Sequence, residues 1–194
     1  MNPDLEFEEY QDILTAHEID HIHDILCSRS FPWFFSESSV PPSYYNRKKD
    51  ENTREYLQFI HLFNTPDGTP NSNYNGLSNE ILNRFLHVTG KSLKKIYKAK
   101  ANLQTKIETF LPTQYNTPHI DETISHHVLI YYPHTTDGDT FIFNSIQGGY
   151  TCIKRITPKA GKYIFFNGAY YHAGSHPSQN DYRIVLNYNF ALDE

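Results

Sequence analysis

Residues 140–175 read TFIFNSIQGGYTCIKRITPKAGKYIFFNGAYYHAGS, a series of short apolar or aromatic runs divided by turn residues. The runs are Thr140–Asn144, Tyr150–Ile156, Tyr163–Phe166 and Tyr170–Ser175, and the dividers are Gly148-Gly149, Pro158-Lys159-Ala160-Gly161 and Asn167-Gly168. Runs of this length, rich in β-branched and aromatic residues and bounded by Gly, Pro and Asn, read as strands joined by tight turns. Outward from this stretch the same texture covers Lys94–Thr105, Tyr115–Asp121, His127–Tyr132 and Arg183–Phe190, with Asp137-Gly138 as a further turn. Eight candidate strands in succession predict a mainly β fold, a jelly roll or barrel with helices packed on one side.

The helices are expected ahead of the strands. Leu14–Leu26 places Ile19, Ile22 and Leu26 at helical spacing with Thr15 as a cap, and Leu77–Leu86 carries Leu77, Ile81, Leu82 and Phe85 on one face, beginning near Ser78 as a cap, with Gly90 as a stop. Glu55–Phe63 reads as a strand, while Ser36–Asn52 and Asn64–Asn75 read as loops able to cover the mouth of the barrel. The 194 residues suit a single domain, 1–93 forming a helical and loop part over a β core at 94–192. A net charge of -5 argues against nucleic-acid and anionic-membrane partners, and 20% charged residues with 15% aromatics argue against a disordered chain. No run approaches the roughly 20 apolar residues of a membrane span. Cys27 and Cys152 form no metal-binding spacing, and the acidic N-terminus has no secretory character, so a cytoplasmic protein is expected.

The chemistry concentrates in His119-Ile120-Asp121, His172 and Arg183. Alternate side chains of a strand share a face, so His119 and Asp121 project together. A third ligand from a distant strand would complete a two-histidine, one-carboxylate face, which leaves open positions on the ion and points to non-haem Fe(II) oxygenases. In the last strand, period two puts Arg183, Val185, Asn187 and Asn189 on one face and Ile184, Leu186, Tyr188 and Phe190 on the other. The second face is apolar and belongs in the core; the first could line a ligand pocket. A buried Arg183 needs an anionic partner, and a dicarboxylate matches its planar fork. The competing reading is an edge strand with Arg183 in water.

In order, the motifs are PHID (118–121), VLIYYPH (128–134), DGDTFIF (137–143), PKAGKYIFF (158–166), HAGSHP (172–177) and YRIVLNYNF (182–190). In this order the C-terminal half resembles the Fe(II)/2-oxoglutarate-dependent oxygenases, and within them the prolyl 4-hydroxylase-like branch. That resemblance implies a double-stranded β-helix (jelly roll) core. It implies His119, Asp121 and His172 as iron ligands, Arg183 as the anchor of the distal carboxylate of 2-oxoglutarate, and Tyr132 beside that co-substrate. Asn102 or Gln104 would be a further contact. Pro133-His134 stands where relatives carry a small polar turn. The implied activity is a dioxygenase, a hydroxylase of a protein side chain or small molecule. It would use Fe(II), 2-oxoglutarate and O2 and couple C–H oxidation to release of succinate and CO2. A protein, peptide or small metabolite would be the substrate. Cupin-type enzymes share the fold class but use His-x-His with a following Glu. The reading from a different class is a catalytically silent jelly-roll binding module.

Other residues read more simply as structural. His17, His21 and Asp24 form a solvated helix face, Trp33 and its Phe neighbours pack, and Gly138, Gly161, Gly168 and Gly174 are turn residues where positive φ is allowed. Of the adjacent His126 and His127, at most one can face inward, and of Tyr131 and Tyr132, one faces the core.

Overall fold

The structure, a computed structural model, describes residues 7–40, 50–146 and 149–193. In chain order it runs β1 (Phe7–Tyr10), α1 (Ala16–Leu26), β2 (Phe34–Ser36), β3 (Gln58–Asn64), α2 (Asn75–Thr89), β4 (Leu93–Thr105) and β5 (His127–Tyr131). It continues with β6 (Thr140–Ile146), β7 (Gly149–Ile156), β8 (Tyr163–Asn167), β9 (Tyr171–Gly174) and β10 (Tyr182–Leu192). The strands form a seven-stranded sheet in the order β1-β8-β5-β10-β4-β3-β2 and a three-stranded sheet in the order β7-β6-β9. Every pairing is antiparallel. The expected jelly-roll sandwich is present.

Period-two alternation decides what each face of the large sheet meets. Leu129, Tyr131, Phe165, Leu186 and Phe190 pack outward against Ile22 and Leu26 of α1 and Ile81 and Phe85 of α2. Their neighbours Val128, Ile130, Ile164, Phe166 and Val185 pack inward against Ile142 and Ile156 of the small sheet. The outer face of the small sheet is closed by Tyr115 over Phe141, Phe143 and Ala173.

Thr15 caps α1 as expected, in a reciprocal box with Glu18. Ser78 does not cap α2. That helix begins at Asn75 behind Tyr74, without a side-chain cap, and Ser78 is buried within it. The apolar spacing was correct, but the loop before it supplies the extra turn. Gly90 ends the helix in the left-handed conformation at φ 67°.

The N-terminal part expected as helix and loop also supplies β1 and β2 to the large sheet, beside the expected β3. β1 holds its edge position by stacking Phe7 on Phe166 and pairing Glu9 with Lys154 (2.9 Å) and Lys162 (3.2 Å). Four residues are too short a period for the sequence alone to reveal such a strand. The strand expected at Tyr115–Asp121 is reduced to bridges, Thr53 with Tyr115 and His119 with His172. Pro118 carries no N–H to donate, so a continuous ladder cannot form there.

His134 ties the β5–β6 connection to β10. Its Nε2 accepts the Ile184 N–H at 3.0 Å, and its ring stacks on Tyr182. Burial, then His23 and Arg183, push its pKa down to about 4. Folding therefore favours the neutral ring, and stability present above the unfolded value near 6.5 is lost as pH falls through 4. Thermal melts from pH 7 to 4 are expected to fall, and His134→Gln is expected to flatten that fall. Parallel pH profiles for the two proteins would refute this role.

Candidate metal centre and anion pocket

The bridge between the segment around His119 and β9 builds the first half of the site. The His119 N–H donates to the His172 carbonyl at 3.1 Å, and the His172 N–H returns a bond to the His119 carbonyl at 2.9 Å. That exchange sets the two imidazoles side by side, ring centroids 4.7 Å apart and planes tilted by 46°. Asp121, two residues on, comes to the same side as His119 although no continuous strand runs through them. One donor atom from each of His119, Asp121 and His172 lies within 4.8 Å of the others. His172 Nε2 lies 3.2 Å from Asp121 Oδ2, and His119 Nε2 lies 3.9 Å from Asp121 Oδ1.

Each donor is prepared for a cation. His119 Nδ1–H donates to the Thr117 carbonyl at 3.0 Å, which fixes the tautomer and leaves the Nε2 lone pair inward. Burial, with His172 adding to it, drives the His119 pKa down to about 3, so the ring is neutral. Both ring nitrogens of buried His172 lack a hydrogen-bond partner among the described residues. Burial works to raise the Asp121 pKa, but His172, Lys100 and Lys98 outweigh it and hold the carboxyl well below the usual range. Asn187 Nδ2 donates to Asp121 Oδ2 at 3.1 Å and orients it. Two imidazoles and one carboxylate, with the His172 ring nitrogens free of hydrogen bonds, fit a divalent transition metal.

The second half is Arg183, 3% exposed. Its Nε, Nη1 and Nη2 donate to the Gly138 carbonyl, Gln104 Oε1 and Thr140 Oγ1, each at 2.7 Å. These acceptors are neutral, and no carboxylate pairs with the guanidinium among the described residues. Arg183 therefore faces the pocket and not solvent. His119, His172, Thr140, Arg183, Val185 and Asn187 line a common cavity, together with Asn102 and Gln104.

No family model matches the sequence, and no curated protein matches it. Solved structures do. The chain covers 96% of itself and 85% of an oxidoreductase of the 2OG-Fe(II) oxygenase family from Burkholderia pseudomallei, at TM-score 0.66 and 13% identity. The fold is the one this oxygenase has. A prolyl-4-hydroxylase from Pseudomonas putida aligns over 98% of this chain and 95% of its own, at TM-score 0.54 and 14% identity. A prolyl hydroxylase from Trichoplax adhaerens, solved with a hypoxia inducible factor peptide fragment, aligns over 96% and 84%, at TM-score 0.58 and 11% identity.

Within this oxygenase fold, Tyr132 stands one step behind the cavity. It is fully buried and its hydroxyl donates to Thr140 Oγ1 at 2.7 Å, so it positions the threonine that Arg183 also binds. Of the four glycines read as turn residues where positive φ is allowed, only Gly161 uses it; Gly138, Gly168 and Gly174 do not. They provide close approach instead: a Cβ at Gly138 would meet Arg183 Cδ at 2.6 Å, and one at Gly174 would meet Arg183 Nη1 at 2.9 Å. Neither His126 nor His127 reaches the cavity; the first packs on Gly168 and the second stacks on Phe165. His17, His21 and Asp24 are exposed, as a solvated face should be. Trp33 packs, its Nε1 donating to the Leu26 carbonyl at 3.1 Å, whereas Phe34 and Phe35 beside it are exposed. Ser36–Asn52 contributes Ser39 to the cavity, with 41–49 outside the described residues. Asn64–Asn75, expected over the same mouth, lines a different groove through Asn71–Tyr74 with Phe34 and His61.

Lys98, Lys100 and Thr140 were not singled out by sequence reading. The signal was present: in KAKANLQ (98–104) every second residue is polar, and the alternating Ala99 and Ala101 are fully buried. β4 lies beside β10 with Gln104 opposite Arg183 and Lys100 opposite Asn187, so this polar ladder faces the site.

Metal binding to the folded chain alone must stabilise it, by about 2.7 kcal/mol at a hundredfold excess over Kd. Co(II) or Ni(II) is expected to raise the melting temperature of the metal-stripped protein, and His172→Ala or Asp121→Ala to abolish the rise. A shift that survives both substitutions would place the metal elsewhere.

Proposed function

We propose that this protein is an Fe(II)- and 2-oxoglutarate-dependent dioxygenase that hydroxylates a protein side chain or a small molecule. One arrangement carries the reading: a two-histidine, one-carboxylate set and a buried, carboxylate-free arginine open into the same cavity. The oxygenase fold of the solved neighbours supports it. Bound iron would supply O2 activation, coupling decarboxylation of 2-oxoglutarate to succinate and CO2 with oxidation of a substrate C–H bond.

The chain's own residues prepare that chemistry. His119, Asp121 and His172 hold the ion, and the Thr117 carbonyl and Asn187 fix two of the three ligands in orientation. Arg183 takes the distal carboxylate of the co-substrate, since a buried guanidinium with only neutral acceptors is electrostatically incomplete. Thr140, held by Tyr132 and Arg183, places a hydroxyl at the same end. Ile130 and Val185 give the cavity an apolar wall suited to the methylenes between the two carboxylates.

The test is an anaerobic titration of the protein with Fe(II) and 2-oxoglutarate, following the visible charge-transfer absorption of the chelate. A band is expected in the wild type and absent in His172→Ala. Arg183→Ala is expected to weaken 2-oxoglutarate by about 10- to 100-fold, the loss of one charge-assisted contact, while metal affinity is retained. A wild type that binds neither would be a silent jelly-roll module. An Arg183→Ala protein with undiminished 2-oxoglutarate affinity would overturn the anchor.

A further inference from the structure

We propose that Lys100 makes the cavity selective for a small, polar carboxylic acid as the primary substrate, its ammonium holding the substrate carboxylate beside the metal ligands. This rests on the oxygenase reading above and adds the substrate class to it.

The argument is a matching of charges. Around the site, Lys98 donates to Glu122 at 2.9 Å, so that pair is closed. In the oxygenase reading, Asp121 and one end of 2-oxoglutarate face the metal, and Arg183 faces the other end. Lys100 is left over. It sits on the cavity-facing side of β4, four positions along from Gln104, and lines the cavity itself. Its Nζ lies 3.9 Å from Asp121 Oδ1, beyond hydrogen-bond reach, and donates no hydrogen bond among the described residues. Only 15% of that side chain is exposed. Its one ion pair, with Asp121, is long and is shared with Lys98 and, in this reading, with the metal, so the buried ammonium has no hydrogen-bonded partner, and an arriving carboxylate repairs that.

A second observation says that the ligand is polar along its length. Asn102 Oδ1 and both side-chain polar atoms of Asn116 are buried and without partners, and both residues line the same cavity, where Gln58 and Ser39 join them. Asn116 is 1% exposed. Unsatisfied amides facing a cavity call for a ligand that offers both donors and acceptors. A carboxylic acid bearing hydroxyl, amine or amide groups meets both demands.

The test uses the Mn(II)- and 2-oxoglutarate-loaded protein without oxygen, so that binding is read without turnover. Calorimetry would compare glycolate, N-acetylglycine and N-acetylserine with the corresponding primary amides. In the wild type at least one acid is expected to bind about tenfold or more tightly than its amide, a difference of ~1.4 kcal/mol. Lys100→Met and Lys100→Gln are expected to remove the preference, and Lys100→Arg to keep it. Absence of any acid preference in the wild type overturns the proposal. So does a Lys100→Met protein that keeps the preference but loses 2-oxoglutarate affinity, since Lys100 would then serve the co-substrate. If the wild type fails to bind metal and 2-oxoglutarate at all, the oxygenase reading falls and takes this one with it.

Discussion

β10 is buried on both faces, and that constraint organises the molecule. A strand in this position cannot hide its polar groups in water, so each must find a partner or face a ligand. Ile184, Leu186, Tyr188 and Phe190 answer by packing under the two helices. Arg183, Asn187 and Asn189 lie on the opposite face, 3%, 4% and 0% exposed, with only Val185 apolar among them. A two-sided core strand would ordinarily be apolar throughout. Here the inner face carries a cation and two amides, and the sandwich opens a cavity over Arg183 and Asn187. The binding site is thus the consequence of one strand whose two faces obey different rules.

Arg183 is the most demanding of these groups. Burial works against its charge, with Tyr132 and Asp139 only partly offsetting it. Asp139 does not supply the missing counterion, because its carboxylate is engaged by Arg155. Three neutral acceptors hold the guanidinium in one orientation without neutralising it. This arrangement presents an oriented, uncompensated charge that a carboxylate would complement. The same holds at the other end, where Asn187 and the two lysines orient Asp121 while leaving His172 unsatisfied.

Much of this was legible in sequence because β periodicity is short and strict. The two faces of Arg183–Phe190 follow from alternation alone and are found; His119 and Asp121 also share a direction, although the strand expected through them is reduced to a bridge. What alternation cannot say is which distant strand lies alongside. Lys100 acquires meaning only when β4 pairs with β10, and Tyr132 could be placed near the co-substrate but not behind Thr140. Short edge strands such as β1 and β2 carry too few repeats to be seen. The glycines misled for a different reason. A glycine in sequence announces either an unusual φ or a missing side chain, and only packing distinguishes them.

Gly174 shows how tightly the two ends of the site are joined. On β9, His172 and Gly174 point inward while Tyr171 and Ala173 point outward against Phe143 and Tyr150. The periodicity that aims the histidine at the metal position therefore also aims position 174 at Arg183 Nη1. Any side chain there would press on the guanidinium or on Gln104 Oε1, 3.2 Å away. A register shift that relieved the pressure would turn His172 out of the site, since one residue of slip exchanges the faces. The spacing from ligand to anchor is accordingly set by backbone geometry within a four-residue strand. A glycine at its end is what lets a buried arginine and a histidine of the candidate metal centre share so small a space.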